Sequence, residues 1–177
     1  MDPDPALSVV GVDSLTGINN RRQFFELASA AFESARAAGI ECTAAVIDLD
    51  RIDFVNDTYG HHVGTELIRE TGAALAAIAR PGDVIGRIGG DEFALLRTGS
   101  GSTKEEIWWQ LSLAAKRAAG ADKPFALSVS VGVAIARADR VESLDTLMAL
   151  ADEAMYEHKR AGGGSEGPPH ARRQPRG

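Results

Sequence analysis

Two acidic side chains directly follow two glycines in the segment Arg87–Phe93, which reads Arg-Ile-Gly-Gly-Asp-Glu-Phe. Because strand-like apolar runs flank this segment, Gly89 and Gly90 are predicted to form a hairpin turn that carries Asp91 and Glu92. Glycine permits a positive φ, and it also lets a ligand approach without meeting a Cβ atom. Carboxylates at such a turn are suited to holding a divalent cation against phosphate. The alternative is an ordinary Gly-Gly hairpin without chemistry.

A second pair of carboxylates, Asp48 and Asp50, follows the apolar run Thr43–Ile47. The run is typical of a strand buried on both faces, and its continuation would place both carboxylates on one face and Leu49 on the other. If Asp48 faces the same side as Asp91, the two carboxylates form a cradle for one or two magnesium ions. In the alternative the strand ends earlier, and one of the aspartates, more readily Asp50, caps a short helix.

The segment Arg51–His61 contains groups that can bind a nucleotide. The start of a helix or turn there offers free backbone N–H groups to phosphate. Asn56 can present a donor and acceptors to the edge of a purine, although an Asn-Asp pair before Tyr-Gly is also common in turns. His61 and His62 have no third ligand at metal spacing, so they are weak indicators of a zinc site.

The elements that must position these side chains follow from the spacing of apolar residues. Helical spacing predicts four helices: Asn19–Ala38, Gly64–Ala79, Lys104–Ala119 and Val141–Arg160. Apolar runs and alternation predict three strand regions: Thr43–Ile47, the hairpin Asp83–Leu96 and Phe125–Ile135. This order indicates an α/β (α+β) sandwich in which a mixed sheet is covered by helices. Trp108 and Trp109 are neighbours on one helix, so one of them is predicted to be partly exposed.

The composition is that of one soluble globular domain, with 177 residues of which 44% are hydrophobic and 25% charged. The net charge is −6, and the last seventeen residues carry +2, which leaves −8 on the remainder. Such an acidic body does not favour nucleic-acid backbones or anionic membranes, so a nucleotide would need a metal or local cations.

The cysteine content and the first residues of the chain indicate the cellular compartment to expect for the protein. Cys42 is the only cysteine, which excludes an internal disulfide and a cysteine-based zinc site. No apolar run approaches the roughly eighteen residues of a membrane span, and the acidic start Met1–Pro5 lacks the features of a signal peptide. We therefore expect a cytoplasmic protein without membrane insertion.

Together these motifs resemble the GGDEF family of diguanylate cyclases, which join two GTP molecules into cyclic di-GMP. The resemblance runs from Asp13 to about Lys159 and rests on six motifs: Asp13–Arg22, Asp48–Asp50, Asn56–His61, Arg87–Phe93, Ser130–Val133 and Ala151–Tyr156. It implies a palm-like nucleotidyl-cyclase fold with a mainly antiparallel central sheet and the signature on a β-hairpin. The domain is expected over residues 13–161, between a flexible lead at 1–12 and a disordered tail at 162–177.

The resemblance also implies roles for individual residues. Asp48, the Leu49 carbonyl and Asp91 would hold Mg²⁺ or Mn²⁺, and Glu92 would act on the metal or on the attacking 3′-hydroxyl. The implied nucleotide contacts are Asn56 and Thr65 at guanine, His61 along the nucleotide, the backbone of Arg51, Ile52 and Asp53 at the β/γ-phosphates, Lys159 at the terminal phosphate, and the open turn at Gly89 and Gly90. Each domain binds one nucleotide, so the reaction is expected to require a homodimer.

The segment Arg80-Pro81-Gly82-Asp83 matches the family's RxxD inhibitory site. In such a site an arginine and a carboxylate bind the guanines and phosphates of the product. The alternative is an ordinary ion pair in a loop. The same motif supports a second hypothesis, a catalytically weak receptor that binds cyclic di-GMP through Arg80 and Asp83.

Three positions depart from the family pattern. Thr65 stands where an aspartate usually accepts hydrogen bonds from guanine, so guanine discrimination is expected to weaken by roughly 1–3 kcal/mol. A hybrid cyclase that makes cyclic GMP-AMP from GTP and ATP is therefore a third hypothesis. Asp53 replaces a lysine and Gly163 replaces an arginine near the phosphates, so both are expected to reduce nucleotide affinity. The signature and the metal ligands are intact, which favours retained catalysis.

Overall fold

The computed structural model describes residues 10–99, 102–118 and 127–162. Within these ranges the chain forms, in order, α1 (Arg21–Ala38), β1 (Glu41–Leu49), α2 (Ile52–Tyr59), α3 (His61–Ile78), β2 (Val84–Arg87), β3 (Glu92–Thr98), α4 (Lys104–Ala118), β4 (Val129–Arg137) and α5 (Leu144–Arg160). A short 3₁₀ helix, Ala138–Arg140, precedes α5. Most of the expected lead and tail, and Gly163, lie outside the described residues. None of the described helices is both long and apolar enough to span a membrane.

The four strands form one antiparallel sheet in the order β2-β3-β1-β4. Strand β1 is central and almost entirely buried. At its C-terminal end Asp48 pairs with Glu92 of β3 on one side and with Ser130 of β4 on the other. The prediction of a mainly antiparallel sheet covered by helices is therefore confirmed.

Helices cover both faces of the sheet, and the residues of β1 alternate between two cores. Ala44 and Val46 pack in a cluster with α1 and α5. Ala45, Ile47 and Leu49 pack in a second cluster with α3 and α4. Because side chains alternate along a strand, Asp48 projects toward the face that α5 covers.

Local signals explain where several helices begin and end. Helix α1 starts after Asn20, whose side chain accepts a hydrogen bond from the Gln23 amide, and it ends at Gly39 with a φ of 64°. Gly60, with a φ of 94°, separates α2 from α3, so α3 begins at His61, three residues before the predicted start. Trp108 is 8% exposed and Trp109 is 57% exposed, as the sequence predicted for one of the pair.

Helix α2 does not begin with an aspartate cap. The residue before it is Arg51, which has a φ of 58° and makes no side-chain capping bond. The carboxylate of Asp50 instead accepts hydrogen bonds from Ser128 Oγ at 2.6 Å and Ser130 Oγ at 2.5 Å. The interpretation of Asp50 as a helix cap is therefore wrong, because the hydroxyls beside β1 compete for its oxygens.

Helix α5 packs on β4 with almost no space between the two backbones. A Cβ atom at Gly132 would lie 2.0 Å from the carbonyl oxygen of Ala151 and 2.1 Å from the amide nitrogen of Met155. Near the end of the helix, His158 is buried and its Nδ1 accepts a hydrogen bond from the Val131 amide at 3.0 Å. This packing brings the C-terminal turn of α5 to the end of β1 that carries Asp48.

Candidate active site

The loop between β2 and β3 is closed by backbone hydrogen bonds. The amides of Ile88 and Gly89 donate to the carbonyl oxygen of Glu92 at 2.9 and 3.2 Å. Neither Gly89 nor Gly90 has a positive φ, so this turn does not use the backbone freedom that glycine permits. A Cβ atom at Gly89 would lie 2.8 Å from Glu92 Oε2, whereas one at Gly90 would meet no atom within 4 Å. Gly89 therefore makes room for Glu92, and Gly90 leaves an open surface.

An ion pair between Asp13 and Arg87 stabilises this loop. Arg87 donates from Nη2 to the carbonyl oxygen of Gly90 at 2.6 Å and from Nη1 to Asp13 at 3.1 Å. Asp13 also accepts hydrogen bonds from the amide and the hydroxyl of Thr16. Burial alone would raise the pKa of Asp13, but Thr16 and the charge of Arg87 together hold that pKa below its usual value. The loop conformation thus depends on a group 74 residues away from Arg87.

Three carboxylates meet where β1 ends. The Leu49 amide donates to the carbonyl oxygen of Asp91 at 3.1 Å, which extends the pairing of β1 and β3 into the loop and brings Asp91 beside Asp48. Burial raises the pKa of Asp48, and the charge of Asp91 adds to this. Burial likewise raises the pKa of Glu92, followed by repulsion from Asp48, Asp91 and Asp152. The arrangement is a partly buried concentration of negative charge.

Lys159 of α5 reaches this carboxylate cluster. Its Nζ donates to Asp48 Oδ1 at 2.6 Å, and its side chain is 44% exposed whereas that of Asp48 is 7% exposed. The hydrogen bond to Asp48 raises the pKa of Lys159. Lys159 therefore neutralises a buried carboxylate, a contact that the resemblance to a phosphate-binding lysine did not predict.

The donor set at this cluster fits a magnesium or manganese ion. Asp48, Asp91 and the Leu49 carbonyl would supply hard oxygen ligands, and the contact of Asp48 with the Lys159 ammonium group shows that this carboxylate is placed to bind a cation. In the described part of the chain no group of three or more His, Cys, Asp or Glu side chains is arranged to hold a metal ion. A site of two carboxylates that leaves positions for phosphate oxygens is the usual form of an Mg²⁺ site at a nucleotide.

Asn56, His61 and Thr65 lie around the junction of α2 and α3. The Asn56 side chain packs on Gly64, where a Cβ atom would lie 1.8 Å from Asn56 Oδ1. That oxygen is buried and has no hydrogen-bond partner among the described residues. The Thr65 hydroxyl donates to the carbonyl oxygen of His61 at 2.9 Å, so its one proton is engaged and only lone pairs remain for a ligand.

The residues expected near the phosphates lie at the start of α2. Arg51 is exposed, and its guanidinium lies 4.6 Å from the centre of the Phe54 ring. Ile52 is partly buried, and Asp53 is exposed in the first turn, where the helix dipole favours a negative charge. The free N–H groups of this turn begin at Ile52, three residues after Leu49, so they lie next to the carboxylate cluster along the chain.

Arg80 and Asp83 lie at the end of the β2–β3 hairpin opposite to the Gly89–Gly90 loop. Arg80 is exposed, and its amide donates to Asp83 Oδ2 at 2.8 Å. The side chain of Asp83 is 3% exposed and forms an ion pair with Arg97 of β3, which is also 3% exposed. The two members of the RxxD motif are therefore in different environments.

Known proteins are similar to this chain in both sequence and fold. Residues 10–165 match the family model described as "Diguanylate cyclase, GGDEF domain". The chain belongs to the GGDEF family. Diguanylate cyclase DosC of Escherichia coli (strain K12) is 32% identical over 158 residues, which cover 86% of this chain and 34% of DosC. Diguanylate cyclase DgcM of the same strain is 35% identical over 155 residues, or 85% of this chain and 36% of DgcM. The chain spans about a third of the length of these relatives.

Solved GGDEF domains have the same fold. The GGDEF domain of DgcB from Caulobacter crescentus, in complex with c-di-GMP, superimposes with a TM-score of 0.76 and 27% identity over 93% of each chain. A sensory box/GGDEF family protein from the same organism has a TM-score of 0.73 and 30% identity, covering 86% of this chain and 100% of the other. The resemblance stated from the motifs is therefore confirmed at the level of family and fold.

Sequence reasoning missed several residues of this GGDEF domain. Ser128 was not considered as a partner of Asp50, and Asp152 was not considered as a neighbour of Glu92. Arg97 was also missed, although a charged residue directly after the apolar run Phe93–Leu96 is a signal for a buried charge that needs a partner.

Proposed function

We propose that this GGDEF domain is a diguanylate cyclase that condenses two GTP molecules into cyclic di-GMP. In a homodimer each 3′-hydroxyl would attack the α-phosphate of the other nucleotide, and each attack would break the bond to the β-phosphate and release pyrophosphate. The observation that carries the proposal is the cluster of Asp48, Asp91 and Glu92, with Lys159 at its edge. Relatives named as diguanylate cyclases support it, although the chain covers about a third of their length.

Each residue of the cluster has a separate task in this proposal. Mg²⁺ or Mn²⁺, held by Asp48, Asp91 and the Leu49 carbonyl, would neutralise phosphate charge and lower the pKa of the attacking 3′-hydroxyl. Glu92 has a raised pKa because it is partly buried among like charges, which suits it to receive a proton at the rim of the cluster. Lys159 would exchange its contact with Asp48 for the terminal phosphate of the nucleotide.

The start of α2 would bind the β/γ-phosphates through its free backbone N–H groups. The carboxylate of Asp53 is exposed there, so solvent screens much of its repulsion of phosphate. The guanidinium of Arg51 lies beside the same turn and contributes a positive charge. We therefore expect Asp53 to weaken nucleotide binding without abolishing it.

The base is expected to be guanine because Thr65 faces it as an acceptor. Guanine presents N–H donors at both N1 and its exocyclic amine, whereas adenine presents an acceptor at N1 and a donor only at its exocyclic amine. Since the Thr65 proton is engaged by the His61 carbonyl, the hydroxyl oxygen can accept from guanine but cannot donate to adenine. This polarity favours cyclic di-GMP over the hybrid product cyclic GMP-AMP.

Substitution of Thr65 tests the assignment of the base. Thr65→Val keeps the shape of the side chain and removes the acceptor, so it should lower GTP affinity roughly tenfold and ATP affinity by less. Both affinities can be measured by competition against a fluorescent nucleotide. Comparable amounts of cyclic GMP-AMP and cyclic di-GMP from wild-type protein given GTP and ATP together would contradict the assignment.

The activity itself is tested with purified protein, GTP and Mg²⁺. Chromatography against authentic cyclic di-GMP should identify the product, and Asp91→Asn should reduce its formation at least about a hundredfold. Glu33→Gln, a neutralising change at an exposed position of α1, is the matched control and should leave the rate unchanged. Demonstrated GTP binding without product at high protein concentration would overturn the proposal.

A further inference from the structure

In the Arg80–Asp83 turn, the carboxylate of Asp83 is bound by the guanidinium group of Arg97. Asp83 Oδ2 accepts hydrogen bonds from Arg97 Nη2 at 2.6 Å and from Arg97 Nε at 3.0 Å. Asp83 Oδ1 accepts from Arg97 Nε at 3.1 Å. The Arg80 amide approaches Oδ2 at 2.8 Å. With contacts on both oxygens and 3% of its side chain exposed, Asp83 offers almost no surface to a ligand.

Arg97 is itself fixed by three parts of the fold. Its backbone lies in β3, where it pairs with Thr43 of the central strand. Its Nη1 donates to Ser102 Oγ at 2.5 Å, and its Nη2 donates to the Ile78 carbonyl at the end of α3 at 3.4 Å. The guanidinium is therefore built into the junction of α3, β3 and the segment before α4, and it cannot swing away without breaking these contacts.

A guanine base binds a carboxylate by donating its N1–H and its exocyclic amine to the two oxygens. Both carboxylate oxygens of Asp83 already accept hydrogen bonds from the guanidinium group of Arg97, and this interaction is charge-assisted and bidentate. A neutral base would have to displace a buried cation to make the same bonds. Arg80, in contrast, is exposed and free to contact a phosphate or the face of a base.

We infer that Arg97 is a specificity-determining residue that prevents the Arg80–Asp83 turn from binding guanine through Asp83. The turn then contributes only Arg80 to any contact with a cyclic dinucleotide. The inference rests on the proposed function, because it concerns the product of that reaction. Feedback inhibition at this turn should be weak, so the product would accumulate to higher levels before it slows the enzyme.

Calorimetry with added cyclic di-GMP tests this inference without turnover, so a failure of the proposed activity would not affect the result. The double variant Asp83→Leu/Arg97→Met replaces the buried ion pair by apolar side chains and leaves no buried charge unpaired. Its affinity for cyclic di-GMP should equal that of the wild type within about twofold. A loss of about tenfold or more would show that Asp83 binds the ligand and would overturn the inference.

Arg97→Met alone releases Asp83 and should increase the affinity for cyclic di-GMP about tenfold. A thermal melt establishes that this variant is folded, since an unpaired buried carboxylate is destabilising. A folded Arg97→Met protein without increased affinity would also overturn the inference. If the variant does not fold, the double variant decides the question. Arg80→Ala measures what the exposed arginine contributes in each background.

Discussion

Lys159 compensates the buried charge of Asp48, and this contact has a measurable effect on stability. Lys159→Gln should lower the free energy of unfolding by about 1–2 kcal/mol, because Asp48 then keeps a buried charge without its cation. Added Mn²⁺ should restore more stability to this variant than to the wild type, since in the proposed metal site the ion and the ammonium group would compete for the same carboxylate. Thermal unfolding with and without Mn²⁺ measures both effects.

Arg160→Gln is the matched control for this prediction, because Arg160 is the next residue and is exposed. It should change neither the stability nor the response to Mn²⁺. Equal stabilisation of Lys159→Gln and wild type by Mn²⁺ would mean that the lysine does not compete for the metal position.

His158 gives the fold a dependence on pH. Burial lowers the pKa of His158, the charge of Lys104 lowers it further, and Asp50 acts in the opposite direction. Because the folded pKa lies below the unfolded value of about 6.5, the unfolded chain binds more protons in this range. The contribution of His158 to stability is therefore complete above about pH 6.5 and is lost as the pH falls through the folded pKa.

His158→Asn isolates this effect, because asparagine can accept the hydrogen bond from the Val131 amide without titrating. Between pH 7.5 and pH 5.5 the wild type should lose more thermal stability than the variant. Parallel profiles for the two proteins would show that His158 does not bind a proton on unfolding.

The contact of α5 with β4 leaves no room for a methyl group at Gly132. Gly132→Ala should lower the free energy of unfolding by about 3 kcal/mol or more, because the new Cβ atom meets backbone atoms of Ala151 and Met155 that cannot move separately. Gly90→Ala, where a Cβ atom meets nothing within 4 Å, is the control and should stay within about 0.5 kcal/mol of the wild type. Urea unfolding measures both changes.

Most elements could be predicted from the sequence because their signals are local. The cap at Asn20 and the stop at Gly39 define α1 within two residues of the prediction. Helix α5 begins three residues later than predicted, because the 3₁₀ turn Ala138–Arg140 and the Ser143 cap precede it. The apolar run Thr43–Ile47 predicted a strand buried on both faces, and the resemblance implied that Asp48 and Asp91 lie near one another.

The contacts that could not be predicted join residues far apart in sequence. Lys159 and Asp48 are separated by 111 residues, and their contact depends on how closely α5 packs at Gly132. Asp83 and Arg97 are separated by 14 residues, and they come into contact because of the register in which β2 pairs with β3. Local patterns predict where a charged residue lies along an element, whereas its partner depends on the packing of the whole domain.

The acidic molecule as a whole must associate with a second copy for the proposed reaction. With a net charge of −6 on each chain, two copies repel one another, and salt should weaken this repulsion. The specific activity should therefore rise in proportion to protein concentration at high dilution, and it should rise as ionic strength increases from about 20 to 150 mM. Initial rates combined with analytical ultracentrifugation test this dependence. A constant specific activity in samples that sediment as monomers would contradict the requirement for a dimer.

The single cysteine of the sequence can report on the opening of the core beside the sheet. Cys42 is the only cysteine of the sequence, it is fully buried in β1, and burial raises the pKa of its thiol. A thiol reagent can reach it only after the cover of this core opens, because its side chain packs with Phe32 and Ala35 of α1 while its backbone pairs with Thr98 and Ala136. The rate of alkylation under native conditions therefore measures how often the core between α1 and the sheet opens, without any introduced label.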